Sequence, residues 1–533
     1  MKKVPALLLS LSLLSPSFAF AEDTNQQNAA ALAQLETQTK ALQQQITLLK
    51  GQIEKLQSSQ TAVKQEVKVS QKQIQKTQEK VQWNRKAIQQ VSRQTYASKK
   101  QAAANAYPDN FAPDDHQFIH ALREGLPVIT SPYLGLRSSF DASDLIVNLP
   151  SMNQDLVLLK QRQDMELEAL KRGVPFGKTP LIMLSGDILP QLIMGDNYQG
   201  QGVSDVTLSS VELDVQAISG SWASGFIAIN YDNSTPDLPQ QNVSTVSNST
   251  LYVSRAFATI GNLNKAPIYL TAGQFYAPYG LYANSLITAP LTQAIGRTLI
   301  RSALLGYSDY GVYAEGYAYN GDTYIHNNNI INEGGLNAGY KSQAGDWAYD
   351  VGAGVISNMA DSQLAQNNGI TGTNQFQGFG YSSSSEQLQN RVPGGNLHAE
   401  VKYQRWQARA EYIGALRSYS NIDMTYDGNP AKPQATHLEL DYNRAFWNKP
   451  TTFVLAYDRS WQALAYNVPE QSIFAVASIS IWKDTIESIE YRHDANYPGG
   501  SFSTGNVNGG VSKNSTPAGP SQNTVTIQFG FYF

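Results

Sequence analysis

The chain has no cysteine among its 533 residues. Disulfides, thiolate metal sites and a lipid-anchored N-terminal cysteine are therefore excluded. Beyond the N-terminal stretch it also lacks long apolar runs. No later segment reaches the roughly 18 consecutive apolar residues of a membrane helix. A β-barrel is not excluded, because its strands alternate apolar and polar residues. Methionine is scarce, at 7, whereas tyrosine reaches 29 and glycine 40. The net charge of −4 hides an asymmetry. Residues 22–105 hold thirteen Lys/Arg against six Asp/Glu, and 106–533 hold 24 against 37. Two regions of opposite sign point to two domains.

The N-terminus reads as an export signal over 1–21. Lys2 and Lys3 precede an apolar run from Val4 to Leu14, and Ala19-Phe-Ala21 supplies the small cleavage residues. From Leu32 a heptad follows: Leu32, Leu35, Thr39, Leu42, Ile46, Leu49, Ile53 and Leu56. A sustained 3.5-residue repeat predicts a left-handed coiled coil over 22–105, and its heptad stretch from Leu32 to Thr95 makes a helix on the order of 95 Å long. Its partner is a second copy of the chain, with a trimer favoured over a dimer. Its basic surface is either a solvated face or a contact for an anionic cell-wall component. Residues 106–180 form a linker with one helix, capped by Ser151, carrying Asp155 in its first turn and stopped by Gly173. Leu156, Leu159, Leu167 and Leu170 give the helix its apolar face. The segment either packs on the rim of the following domain or plugs its lumen.

The sequence closes on Asn523-Thr-Val-Thr-Ile-Gln-Phe-Gly-Phe-Tyr-Phe533. A two-residue period places Val525, Ile527, Phe529, Phe531 and Phe533 on one face of a strand. This ending resembles the insertion signal of bacterial outer-membrane proteins, with Phe529, Phe531 and Phe533 as its core. From Leu181 onward similar segments of about ten residues recur, the length of a tilted membrane strand. Sixteen are predicted, the sixth over 287–303 and the last over 523–533. Short links alternate with long ones, so both ends of the barrel lie on the short-turn side. The predicted fold is a transmembrane β-barrel of about sixteen antiparallel strands over 181–533, behind a helical coiled coil. Tyr231, Tyr403, Tyr412, Tyr442 and Tyr491 suit aromatic girdles.

Charged residues fall on one face of these strands: His398, Glu400 and Lys402; Arg409 and Glu411; His437, Glu439 and Asp441. In a bilayer that face must line the lumen, because Lys or Arg on the lipid face costs about 2–4 kcal/mol at mid-depth. These eight are the pore-lining candidates. Sixteen strands leave room for a channel, whereas eight are filled by side chains. His437, Glu439 and Asp441 also share a face with metal-ligand chemistry, but lumen electrostatics explains them as well. No cofactor motif stands out, and no constellation of His, Ser and Asp suggests an enzyme. An acidic exported barrel is a poor nucleic-acid binder.

With the signal, rod, Thr130-Ser-Pro-Tyr-Leu-Gly, Phe140-Asp-Ala-Ser-Asp-Leu-Ile-Val-Asn and Gly186-Asp-Ile-Leu-Pro-Gln in this order, the chain resembles the LbtU-type siderophore porins. Ala272-Gly-Gln-Phe-Tyr-Ala-Pro-Tyr-Gly280 resembles porins generally. The resemblance implies TonB-independent uptake of a ferric siderophore across the outer membrane. The alternatives are a general or anion-selective porin passing small polar solutes, and a structural tether between outer membrane and cell wall.

Overall fold

The structure, a computed structural model, describes the chain from 152 onward apart from residues 172, 179, 197–201, 233–249, 324–329, 367–378, 380–387, 483, 508–509 and 514–518. Before 152 it describes Gln43, Thr47, Lys50, Gly51 and the strand Val128–Thr130. Two compact units divide the chain, Met1–Gln101 and Ala102–Phe533. In the first, the four described residues are helical and exposed, and Thr47 Oγ1 donates to the Gln43 carbonyl at 2.8 Å. The predicted signal, the rest of the rod, Ser151 and the 140–148 motif lie outside the described residues.

The second unit contains sixteen long strands. They are β1 (Leu181–Asp196), β2 (Gly202–Ser219), β3 (Ala223–Asp232), β4 (Thr250–Gly261), β5 (Ile268–Tyr276), β6 (Leu299–Asp309), β7 (Val312–Tyr319) and β8 (Glu333–Ala344). Then follow β9 (Trp347–Ile356), β10 (Gly394–Tyr403), β11 (Trp406–Ala415), β12 (Gln434–Phe446), β13 (Lys449–Trp461), β14 (Gln471–Ile479), β15 (Thr485–Ala495) and β16 (Ser521–Tyr532). Each pairs antiparallel with the next, and β16 pairs with β1, so the barrel is closed. Alternation sorts the faces. Val454 is 2% exposed while its neighbour Leu455 is 63% exposed. Leu397, Leu438, Ile473 and Ile489 stand outward likewise. No described helix is long and apolar enough to cross a membrane. The spanning elements are the strands.

Closure is built from main-chain bonds at the last residue. Gly186 N donates to the Phe533 carbonyl at 2.8 Å, and Phe533 N returns to Gly186 O at 3.0 Å. On the inner side Gln191 Nε2 donates to Gln528 Oε1 at 2.7 Å. Outside, Phe531 and Phe533 stack with centroids 6.0 Å apart, and both face the lipid side with Phe529. Below Gly186 the edge of β1 takes a parallel partner, Val128–Thr130 against Ile182–Leu184. Pro190, which has no N–H, sits where the β1–β2 register shifts. A Cβ at Gly186 would lie 2.5 Å from Phe533 Cζ and 2.6 Å from the Glu212 carbonyl oxygen. Gly186→Val should therefore sharply lower the yield of closed barrel, read as loss of the heat-modifiable folded band on electrophoresis.

The turns at 220–222, 310–311, 345–346, 404–405 and 447–448 are short, and the connections at the opposite end are mostly long. Trp222, Trp347, Trp406, Trp447 and Trp482 lie exposed beside the short turns. Trp347 stacks on Tyr403 at 4.3 Å and Trp406 packs on Tyr442 at 4.7 Å. This is an aromatic girdle at one end, built mainly of tryptophan. Of the tyrosines expected in girdles, Tyr403 and Tyr442 belong to it, whereas Tyr231 and Tyr412 lie toward the long loops.

One expectation needs correction. The sixth strand starts at Leu299, not 287, and runs to Asp309. Residues 277–298 are instead a loop with a short helix, Leu291–Gly296, because Pro278 and Pro290 cannot donate to a ladder. The long loops are also less irregular than their composition suggests. Met424–Tyr426, Asn429–Pro430, Ser503–Val507 and Gly510–Lys513 form a separate four-stranded sheet joining two of them.

Candidate functional site

Two elements enter the lumen. The first is helix α1, Gln154–Lys171. It starts after Asn153 and stops at Gly173, whose φ of 67 and the Val174 N to Ala169 O bond at 2.9 Å complete a left-handed cap. Asp155 accepts from Thr271 Oγ1 at 2.7 Å, and Thr271 meets Thr259 at 3.1 Å, both on inward faces of β5 and β4. Arg255 of β4 donates to Gln154 Oε1 at 2.8 Å. Toward the short turns, Arg162 donates to the Gly220 carbonyl at 3.0 Å, and Asn262 and Asn264 each donate to Glu166 at 3.1 Å. Leu156, Leu158, Leu159 and Met165 are buried in the same cluster as inward-facing Phe226, Phe257 and Tyr269. Leu170, predicted to be apolar-face, is 75% exposed. Helix α1 thus reaches from the turns at the rim to the inward faces of β4 and β5, while 106–127 and 131–151 lie outside the described residues.

The second element is the 277–298 loop. Its neck is closed by Ala277 N to Thr298 O at 2.8 Å. From there it crosses to the far wall, where four carboxylates take its main-chain N–H groups. Glu411 of β11 accepts from Leu281 N at 2.7 Å and Tyr282 N at 3.2 Å. Glu439 of β12 accepts from Ser285 N at 3.0 Å. Glu490 of β15 accepts from Ile287 N at 2.7 Å and Thr288 Oγ1 at 2.6 Å. Asp458 of β13 accepts from Leu291 N at 2.7 Å. A loop inside a barrel must satisfy its backbone polar groups, and ionisable acceptors do so strongly. Leu286, fully buried, packs among inward Val454, Ala456, Phe474 and Val476. At Gly296 a Cβ would strike the Ile413 and Tyr282 side chains, so glycine lets the helical turn lie against the wall.

Beneath the loop lies an ion-pair network. Arg409, 6% exposed, bonds to Glu400 at 3.0 Å, to Asp441 at 2.6 Å and to Glu439. Its Nη1 also donates to Ser285 Oγ at 3.2 Å. His437 Nδ1 meets Asp458 at 2.5 Å, and Nε2 lies 3.4 Å from Glu439. Apart from these, His398 sits between the Tyr313 hydroxyl at 3.1 Å and Asn396 Oδ1 at 3.0 Å.

All eight pore-lining candidates, His398, Glu400, Lys402, Arg409, Glu411, His437, Glu439 and Asp441, lie on the inner face. Six are buried, and Glu400 and Lys402 are half-buried. Glu411, Glu439, Asp441 and Arg409 hold the loop, and His437 and Glu400 support them. Sequence reasoning missed Asp458 and Glu490, which alternate on β13 and β15 just as the others do. It also missed their partner, because prolines alone marked the loop.

At the long-loop end Asp361 is buried and accepts from Thr323 N at 2.8 Å and the Tyr319 hydroxyl at 3.3 Å. Burial raises its pKa to about 7 from the ordinary 3.8. A raised folded-state pKa means that the fold prefers the protonated acid. That contribution is complete below about pH 3.8 and is lost as pH rises through about 7. Asp361→Asn should therefore make the long loops more resistant to proteolysis at pH 8 and leave pH 4 unchanged.

A closed sixteen-stranded barrel, apolar outside, charged inside and crossed by an inward loop, defines a membrane protein of porin architecture. No family model matches the chain. A UPF0422 protein of Legionella pneumophila strain Paris is 36% identical over 415 residues, covering 77% of each chain. A UPF0422 protein of Coxiella burnetii strain RSA 493 is 34% identical over 413 residues, covering 75% of this chain and 83% of the relative. The chain belongs to the UPF0422 family. Among solved structures it is similar to an anion-selective porin from Comamonas acidovorans, with a TM-score of 0.45 and 12% identity over 66% of this chain and 100% of that one. It is likewise similar to the outer-membrane channel DcaP of Acinetobacter baumannii, with a TM-score of 0.41 and 14% identity over 66% and 97%.

Proposed function

We propose that the protein is an outer-membrane channel, with its short turns in the periplasm, and that its cargo is a ferric siderophore passed without TonB coupling. The observation that supports a channel is the inner wall. Charged, amide and hydroxyl side chains occupy it on strand after strand, and such an interior holds water. The inward loop is laced to that wall by polar bonds, as suits a constriction in a wet lumen. The siderophore rests on the resemblance of residues 130–191 to the LbtU-type porins. A homotrimer joined through the rod, anchored in outer-membrane lipid and without catalytic activity, completes this reading. Purified protein should give stepwise currents in planar bilayers; insertion without current sinks the channel. A deletion strain should lose uptake of radiolabelled ferric siderophore. Unchanged uptake removes the cargo and leaves the channel standing.

A further inference from the structure

On each of the sixteen strands the inner face carries buried side chains, whereas the wall of an open aqueous pore stays wetted. Two elements fill the interior, and they are fastened differently. The 277–298 loop is tied at both ends, since β5 stops at Tyr276 and β6 starts at Leu299, and its main-chain N–H groups sit on buried carboxylates. Helix α1 is held by side chains instead: Asp155 to Thr271, Gln154 to Arg255, and Glu166 to Asn262 and Asn264. Leu159 lies against the foot of β4, where a Cβ on Gly261 would come within 3.4 Å of its Cδ1. Lys160 feels the charges of Lys341, Asp350 and Glu315 on β8, β9 and β7. The helix therefore stands between two parts of the wall. No strand of the barrel needs it as a ladder partner, because each pairs with its two neighbouring strands.

A second observation is a misfit at this seat. Arg162 of α1 is 2% exposed. Its Nη2 bonds to the neutral Gly220 carbonyl at 3.0 Å, while Nε and Nη1 are buried without a partner. The acid it feels is Glu166, one helical turn on, which Asn262 and Asn264 already occupy. Asn264 Oδ1 and Arg255 Nε, on two residues that grip the helix, are unmet as well. A buried charge short of partners is costly, and leaving the seat would hydrate it. Between the helix and β1 stand Gly173 and Gly177, with φ of 67 and 78. Glycines in this region absorb the backbone change that a hinge requires.

The geometry points to a gate: α1, docked as it is here, shuts the lumen beside the fixed loop, and conduction requires it to leave its seat by turning at Gly173 and Gly177. This rests on the channel reading and adds its regulation. The chain has no cysteine, so Asp155→Cys with Thr271→Cys, replacing groups 2.7 Å apart, permits one unambiguous crosslink between α1 and β5. Oxidation or a short bis-methanethiosulfonate would close it. In planar bilayers the reduced double variant should conduct roughly tenfold more than the same molecules crosslinked, and renewed reduction should restore the current. Both states come from one folded preparation, so an assembly defect cannot imitate the result. Arg162→Met should lower the open fraction below that of wild type, because it takes the unpaired charge out of the seat. A change that merely loosened the helix would raise it. Equal currents from crosslinked and reduced protein, or an open fraction in Arg162→Met at or above wild type, overturn the gate while the channel stands. Insertion without current in every form, the reduced variant included, overturns the channel and the gate with it.

Discussion

A chain in which Glu411 and Glu490 are both changed to alanine should keep its barrel and lose control of its lumen. Glu411 accepts from Leu281 N, Tyr282 N and Thr292 Oγ1, and Glu490 accepts from Ile287 N, Thr288 N and Thr288 Oγ1. Hydrogen bonds to a charged group contribute about 1.5–3 kcal/mol each. Removing both carboxylates strands main-chain donors along the crossing and costs the loop most of its anchoring. The strands themselves pair through their own backbones and should remain. The expected result is a larger unitary conductance with rapid flicker, alongside unchanged heat-modifiable migration. An unaltered conductance would mean that the loop does not border the conducting path. Glu411→Gln should be milder, because the amide oxygen still accepts.

The second large effect concerns Arg409. It is the shared counter-charge of Glu400, Glu439 and Asp441, all on neighbouring strands. Taking away one partner of a buried ion pair costs about 3–5 kcal/mol, because the remaining charge stays desolvated. Here three acids would face each other. Arg409→Ala should lower the unfolding temperature in detergent markedly, or prevent assembly, and acidic pH should partly restore it by protonating the acids. Arg409→Lys should fall between, since an ammonium cannot reproduce the guanidinium fork. Equal thermal stability of Arg409→Ala and wild type would show that the network is energetically idle.

Much of the barrel was legible because strand alternation is a local signal. Fifteen of the sixteen strands lay close to where the period-two pattern put them. The exception is instructive. Ile287-Thr-Ala-Pro-Leu-Thr-Gln-Ala-Ile has enough apolar spacing to imitate a strand, yet its bonds go to residues more than a hundred positions away. No window of neighbouring residues contains that information. Pro278, Gly280 and Pro290 were the local hints. The candidate residues themselves were found by facing alone. What alternation could not tell is that Glu411 and Glu439 would be roofed over by main chain while Asp187 and Asp214, chemically similar, would keep acceptors unmet. The tryptophan girdle was overlooked for a different reason. Its members sit one per hairpin, so they gather only when the sheet closes.

The seam that joins Gln191 to Gln528 links positions 337 residues apart. Its consequence is one of time. β1 emerges early and offers one unpaired edge until β16 has been made. At synthesis rates of about 5–20 residues per second, that wait is on the order of tens of seconds. During it, the strand's bare N–H and C=O groups are an invitation to the wrong neighbour. The parallel pairing of Val128–Thr130 shields only Ile182–Leu184 of that edge. Assembly of this fold therefore depends on keeping the free edge of β1 from other strands until β16 is available to close it.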